Sequence, residues 1–296
     1  MEVGAALLEG AQSAGCRAIA VVGTAKNVGK SVTVGAICAA LARTSVPFAV
    51  VSTGRDGESV DSLRGTPKPP LFLRPGALFV TARSLLPAGP AVEILAQTRE
   101  RSAVGAIVLA RARAAGCYEI AGPPSVAGMR RVLDLVRTWG EPFVVLDGAL
   151  DRLAVLSEGD EAIVVATGAA SGRTVELIAR DVQSLVRRLQ LPLFDVQRPS
   201  YEVSGALTLA QARALALAGE RRQIVVHDAT RVAFGGATFG ELAAQLDLRC
   251  RHVLRPIAVT TASVGPERFF EPRALLCAVA RATRLPAYDV FAQACA

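Results

Sequence analysis

Residues 18–36 read AIAVVGTAKNVGKSVTVGA, and the fold is decided there. Ala18–Val22 is an apolar run too short for a helix and suited to a buried strand. It meets a turn that contains Gly23 and closes on Gly29-Lys30-Ser31, after which a helical segment begins. Strand, glycine turn and helix in that order curl the backbone so that successive N–H groups face one anion-sized hollow. In such a hollow Lys30 reaches the β- and γ-phosphates of a nucleotide, and the Ser31 hydroxyl holds Mg²⁺. The candidate cradle is Gly23, Thr24, Ala25, Lys26, Asn27, Val28, Gly29, Lys30, Ser31 and Val32.

The pattern G-x-x-x-x-G-K-[ST] is met except at its first position, which is Thr24, with Gly23 one place earlier. Lysine usage speaks for the loop all the same. Only three of the 33 basic residues are lysine (Lys26, Lys30 and Lys68), and two of them lie here with Asn27, the chain's sole asparagine. Arginine's planar fork does not replace a compact ammonium among phosphates.

A length of 296 residues, 51% hydrophobic and 20% charged, allows a large core and argues against disorder. Aromatics are only 5%, so Ala, Val and Leu must fill that core. The net charge of +7 suits anionic ligands or an acidic protein surface. The arginines are dispersed without an aromatic-interleaved basic stripe, so nucleic acid is not expected. Six cysteines without a C-x-x-C, and two histidines, give no zinc spacing and fit a reducing compartment. No apolar run reaches the ~18 residues of a membrane span, and no signal-like segment opens the chain; the expectation is a cytoplasmic protein.

Continuous apolar runs predict strands at 18–22, 48–52, 77–81, 106–110, 143–146 and 162–166. Helical patterns fall at 31–43, 92–101, 126–138 and 173–189. Non-alternating strands between helices predict an α/β fold, a mostly parallel sheet with helices on both faces. Residues 1–198 are read as the nucleotide-binding domain, and 199–296 as a smaller α/β domain or an extension of the sheet. The second half carries a short internal repeat. A strand ending at Thr167, a small-residue turn, a helix and L-P-L-F-D-V (191–196) match a strand ending at Thr261, a turn, a helix and L-P-A-Y-D-V (285–290).

A phosphate loop needs a carboxylate for Mg²⁺ or its waters. Asp147, ending the run FVVLD, is the first candidate; a strand-end Asp that caps a turn would look the same. Ser52–Glu58 (STGRDGE) should emerge on the same sheet edge, with Asp56 as a metal or γ-phosphate sensor and Arg55 beside it; a solvated polar turn is the alternative. Lys68, Asp151 and Arg152 are secondary candidates. Thr167–Ser171 is either an anion or base pocket or a helix cap made by Ser171. His227-Asp228 reads as a proton-transfer pair or as a structural strand end, and the absence of N-K-x-D leaves guanine unsupported.

The loop GTAKNVGKS is similar to the G-T-x-x-x-V-G-K-[ST] loop of dethiobiotin synthetase and cobyrinic acid diamide synthase enzymes, over about the first 35 residues. A wider resemblance is to the P-loop subunit of the lysine 5,6-aminomutase reactivase. It is carried by GTAKNVGKS, by Ser52–Glu58, by DGALDR (147–152) and by Thr167–Ala169. It implies a P-loop ATPase that uses ATP and Mg²⁺ to free damaged cobalamin from an adenosylcobalamin-dependent aminomutase, beside a companion ATPase subunit. The resemblance to the synthetases implies instead a ligase or kinase acting on a small carboxylate. On either view Lys30, Asp56 and Asp147 are the catalytic candidates, Ser31, Asp56 and Asp147 the metal candidates, and a homodimer is compatible with both.

Overall fold

The computed structural model describes residues 2–52, 55–56 (backbone only), 71–148 and 161–292. The chain runs α1 (Val3–Ser13), β1 (Ala18–Gly23), α2 (Lys30–Leu41), β2 (Phe48–Ser52), β3 (Arg55–Asp56), β4 (Leu71–Leu73), β5 (Leu78–Ala82), β6 (Val92–Ser102) and β7 (Gly105–Ala112). It continues through β8 (Gly116–Tyr118), β9 (Ile120–Ala121), α3 (Val126–Arg137), β10 (Phe143–Gly148), β11 (Glu161–Gly168) and α4 (Val175–Leu189). It ends with β12 (Ser200–Glu202), α5 (Leu209–Leu217), β13 (Gln223–Asp228), α6 (Gly236–Ala243), β14 (Leu248–His252), β15 (Arg255–Ala262), α7 (Pro272–Thr283) and β16 (Ala287–Asp289).

A nine-stranded sheet in the order β16-β15-β11-β1-β10-β2-β5-β7-β6 forms the middle layer. The strands from β16 to β5 are parallel; β7 and β6 close one edge as an antiparallel hairpin. The protein is therefore α/β with a large, mostly parallel sheet. The apolar runs explain why. β2 and β10 are buried along their whole length, as is β11, and β1 is buried except at Gly23. Only helices on both faces can cover such strands. Ile19 and Val21 point to the side of α1 and α2, while Ala18, Ala20 and Val22 face α3, α4 and α7. This alternation places the loop after β1 between two packed layers.

The helix expected at 92–101 is instead the strand β6. Leu95, Ala96, Arg99 and Glu100 are good helix formers and carried that expectation. From Ala96 to Ser102, however, half-buried and exposed residues alternate with a period of two. Pairing with β7, whose Ile107–Ala110 are fully buried, overrides the local preference. Gly105 turns the hairpin at φ 142°.

Beyond residue 198 the chain divides. Residues 200–252 build a separate three-stranded parallel sheet, β12-β13-β14, whose inner face joins the same core as α4. Residues 255–289 then return to the large sheet as β15, α7 and β16. The two repeat units lie side by side: β11 pairs with β15, and Thr167 and Thr261 are register partners. Their ends diverge, since β16 pairs with β15 whereas Leu193 bridges to Cys250 of the small sheet. Among the described residues no helix is long and apolar enough to cross a membrane.

Candidate functional site

The loop after β1 opens at the C-terminal edge of the parallel sheet, where helix N-termini and strand ends meet. Ala25, Lys26 and Asn27 form its exposed tip, and Val28 turns back into the core. Asn27 (φ 59°) and Gly29 (φ 82°) are both left-handed, which curls the backbone ahead of α2. Gly29 is the N-cap of α2, so Lys30 and Ser31 occupy its first turn. A Cβ on Gly29 would lie 3.0 Å from Val290 Cγ2 and 3.1 Å from Ala262 Cβ. Glycine is thus required both by the dihedral and by the crowding.

Thr24 stands where the usual pattern has glycine, and its role is visible here. Its N–H donates to the Ala166 carbonyl at 2.9 Å, and its hydroxyl donates to Thr167 Oγ1 at 3.0 Å. The loop is thereby moored to β11 instead of needing a positive φ at its first residue. Thr167 in turn shares a hydrogen bond with Ser171 Oγ at 3.2 Å. On the helix side, the Thr33 hydroxyl donates to the Gly29 carbonyl at 3.0 Å and meets Thr260 Oγ1 at 3.0 Å in the interior.

Lys30 Nζ lies 2.7 Å from Asp147 Oδ1. The Asp147 side chain is only 5% exposed, and Lys30 retains 26%. β10 pairs directly with β1 and places Asp147 opposite Val21, while on its other side Asp147 is the register partner of Ser52. Ser52 is fully buried. The lysine of the loop and the carboxylate predicted to serve Mg²⁺ are therefore brought together as an ion pair, and Ser31 follows in the same helical turn. Cys38, about two turns further along α2, has its thiol pushed up to about 12, first by burial and then by the Asp147 charge. At pH 8 a thiol reagent is expected to label exposed Cys117 quickly and to reach Cys38 only on unfolding; fast labelling of Cys38 in the native protein would show that α2 does not pack as described.

Other expectations fall elsewhere. The backbone of Asp56 lies in β3, paired with Ile120 of β9, and its side chain is outside the described part. Glu58, Lys68, Asp151 and Arg152 lie outside the described residues. Ser171 does not cap a helix: its hydroxyl donates to the Gly168 carbonyl, and the N-cap of α4 is Thr174, which accepts from the Leu177 N–H. His227 and Asp228 are hydrogen-bonded to each other at 2.9 Å, but in the small sheet. No family model, curated protein or solved structure matches the chain.

The site also contains what sequence reasoning missed. Val290 and Ala262 wall the loop at Gly29, and Thr260 meets Thr33 of α2 just behind it. Thr260 and Ala262 belong to β15 and Val290 follows β16, and only the strand order places them beside the loop. Asp289, wholly buried, holds the last described segment: it accepts from the Phe291 and Ala292 N–H groups and from the Thr261 hydroxyl, which keeps Val290 against the loop.

The donors fit a nucleotide with its metal. A left-handed turn at a helix N-terminus presents backbone N–H groups, Lys30 supplies a cation, and a hydroxyl and a buried carboxylate supply hard oxygen ligands. A hollow lined by Arg17, Arg137, Glu141 and Glu161 opens at the opposite, N-terminal edge of the sheet and takes no part in this site.

Proposed function

We propose that the chain has a P-loop NTPase-like fold and binds ATP with Mg²⁺ at the Gly23–Val32 loop. In this reading it hydrolyses ATP to drive reactivation of an adenosylcobalamin-dependent aminomutase, working beside a companion ATPase subunit. The observation that carries the nucleotide site is the Lys30–Asp147 pair at 2.7 Å on the loop's own edge of the sheet. Two further features support it: the left-handed Gly29 ahead of α2, and the strand order, in which the loop strand β1 is flanked by the Asp147 strand β10 and by β11. The aminomutase part rests on the resemblance in the loop, in Ser52–Glu58, in residues 147–152 and in Thr167–Ala169.

The chain's own residues divide the work. Backbone N–H groups of the loop bind the phosphates, and Lys30 exchanges its contact with Asp147 for one with them. Ser31 and Asp147 would hold Mg²⁺, which screens phosphate charge when bound. Thr24 and Thr167 fix where the loop sits. Thr167→Val is accordingly expected to weaken ATP binding about five-fold, the scale of one hydrogen bond. Thr167→Ser, which keeps the hydroxyl, should restore it; equal losses in both variants would assign the effect to packing.

The whole reading is tested with a cobalamin-inactivated lysine 5,6-aminomutase and the companion ATPase subunit. The expected result is recovery of mutase activity that needs hydrolysable ATP and an intact Lys30. No recovery, together with ADP release stimulated by a small carboxylate, would overturn the reactivase reading in favour of a ligase or kinase.

A further inference from the structure

We propose a second ligand site, independent of the nucleotide site: His227 and His252 bind a divalent transition cation, such as Zn²⁺ or Ni²⁺, with Asp228 as the positioning residue. These are the only two histidines among 296 residues. They are 25 positions apart in sequence, yet they stand on the neighbouring parallel strands β13 and β14, with ring centroids 4.6 Å apart. Both lie at the C-terminal end of their strands, the edge at which open parallel sheets bind ligands. Both are exposed, so the pair is not a core packing contact.

What distinguishes the pair from two surface imidazoles is the carboxylate beneath it. Asp228 is 1% exposed, and its Oδ1 accepts from the Thr230 N–H at 2.8 Å and from the Thr230 hydroxyl. Its Oδ2 lies 2.9 Å from His227 Nδ1. A carboxylate fixed in this way sets the tautomer: Nδ1 carries the proton, and Nε2 presents its lone pair away from Asp228. Carboxylate, imidazole and metal in series is the arrangement by which histidine ligands are oriented and made more basic. Among the described residues nothing hydrogen-bonds the His252 ring, so it can turn about its side-chain torsions to converge on the same cation.

The chemistry of the pair selects the ion. Two neutral imidazoles favour Zn²⁺, Ni²⁺ or Cu²⁺ over Mg²⁺ and Ca²⁺, which take oxygen ligands. Among the described residues no three His, Cys, Asp or Glu side chains gather around one point. The cation would therefore keep open positions, as an exchangeable site does and a structural zinc site does not. Cys250, two residues before His252, is no ligand: it is buried and its thiol donates to the Leu191 carbonyl.

The test is calorimetric titration of the full, untagged chain with Zn²⁺ and with Ni²⁺, in a Cys117→Ser background and without nucleotide. The expected result is one saturable site that is lost in His252→Gln and in His227→Gln and is weakened 10- to 100-fold in Asp228→Asn. Imidazole proton resonances should shift on addition of metal in the parent protein, and the unchanged far-ultraviolet circular dichroism of each variant would show that it folds. Absence of saturable binding up to millimolar metal, or binding that survives both histidine replacements, would overturn the proposal. Replacing Lys30 should leave this binding unchanged, which separates its failure from a failure of the nucleotide site.

Discussion

Replacing Lys30 by alanine is expected to lower affinity for Mg–ATP by on the order of 100-fold or more, or ~2.8 kcal/mol at 1.4 kcal/mol per factor of ten. The Lys30 ammonium is the loop cation placed against Asp147, whereas Lys26 stands at the exposed tip, and an arginine's planar fork does not replace a compact ammonium among phosphates. The same change carries a second, separable effect. Asp147 is 5% exposed and loses a partner at 2.7 Å. Stranding a buried carboxylate destabilises a protein, and because Lys30 itself keeps 26% exposure the loss is put at about 1–3 kcal/mol, below the range for wholly buried pairs. The two effects part in the double variant. Lys30→Ala with Asp147→Asn should recover much of the stability in urea titrations and none of the binding. If Lys30→Ala binds Mg–ATP like the parent protein, the loop does not hold the phosphates.

The second large effect is at Asp147. Asp147→Asn keeps the volume and removes the charge that would hold Mg²⁺. ATP turnover should fall by about 100-fold or more, the several kcal/mol that metal organisation supplies. Affinity for ATP measured without metal should change far less, since Lys30 and the backbone N–H groups remain. The readout is turnover as a function of Mg²⁺ concentration. A titration curve superimposable on that of the parent protein would remove Asp147 from the metal site and leave it a purely structural partner of Lys30.

How much of this was legible in the sequence depends on the range of the physics involved. The runs Ala18–Val22, Phe48–Ser52 and Phe143–Leu146 are strands because uninterrupted Val, Ile, Leu and Ala suit a sheet covered on both faces, and the structure has them as β1, β2 and β10. The glycine turn and the position of the strand-end Asp147 on the same edge of the sheet followed from local chemistry plus one rule about parallel sheets, whereas the ion pair between Lys30 and Asp147 is visible only in the structure. The misreadings came where a distant partner decides. β6 is built from helix-forming residues, and only β7 makes it a strand. Ser171 looked like a helix cap because a small-residue turn precedes α4, yet Thr174 is three residues nearer the helix and takes the Leu177 N–H. Thr24 looked like a defect in the loop motif, and its compensation, Thr167, lies 143 residues away. Val290 against Gly29, and His252 beside His227, need the strand order before either can be seen.

Residues 23–32 are proposed as a nucleotide cradle completed by Asp147. Its most direct test is equilibrium titration of the purified chain with ATP, with and without Mg²⁺. The predicted result is saturable binding of one ATP per chain, strengthened by Mg²⁺ and competed away by ADP. No saturable binding up to millimolar Mg–ATP would contradict it, and would leave the Lys30–Asp147 pair as a buried contact of the fold.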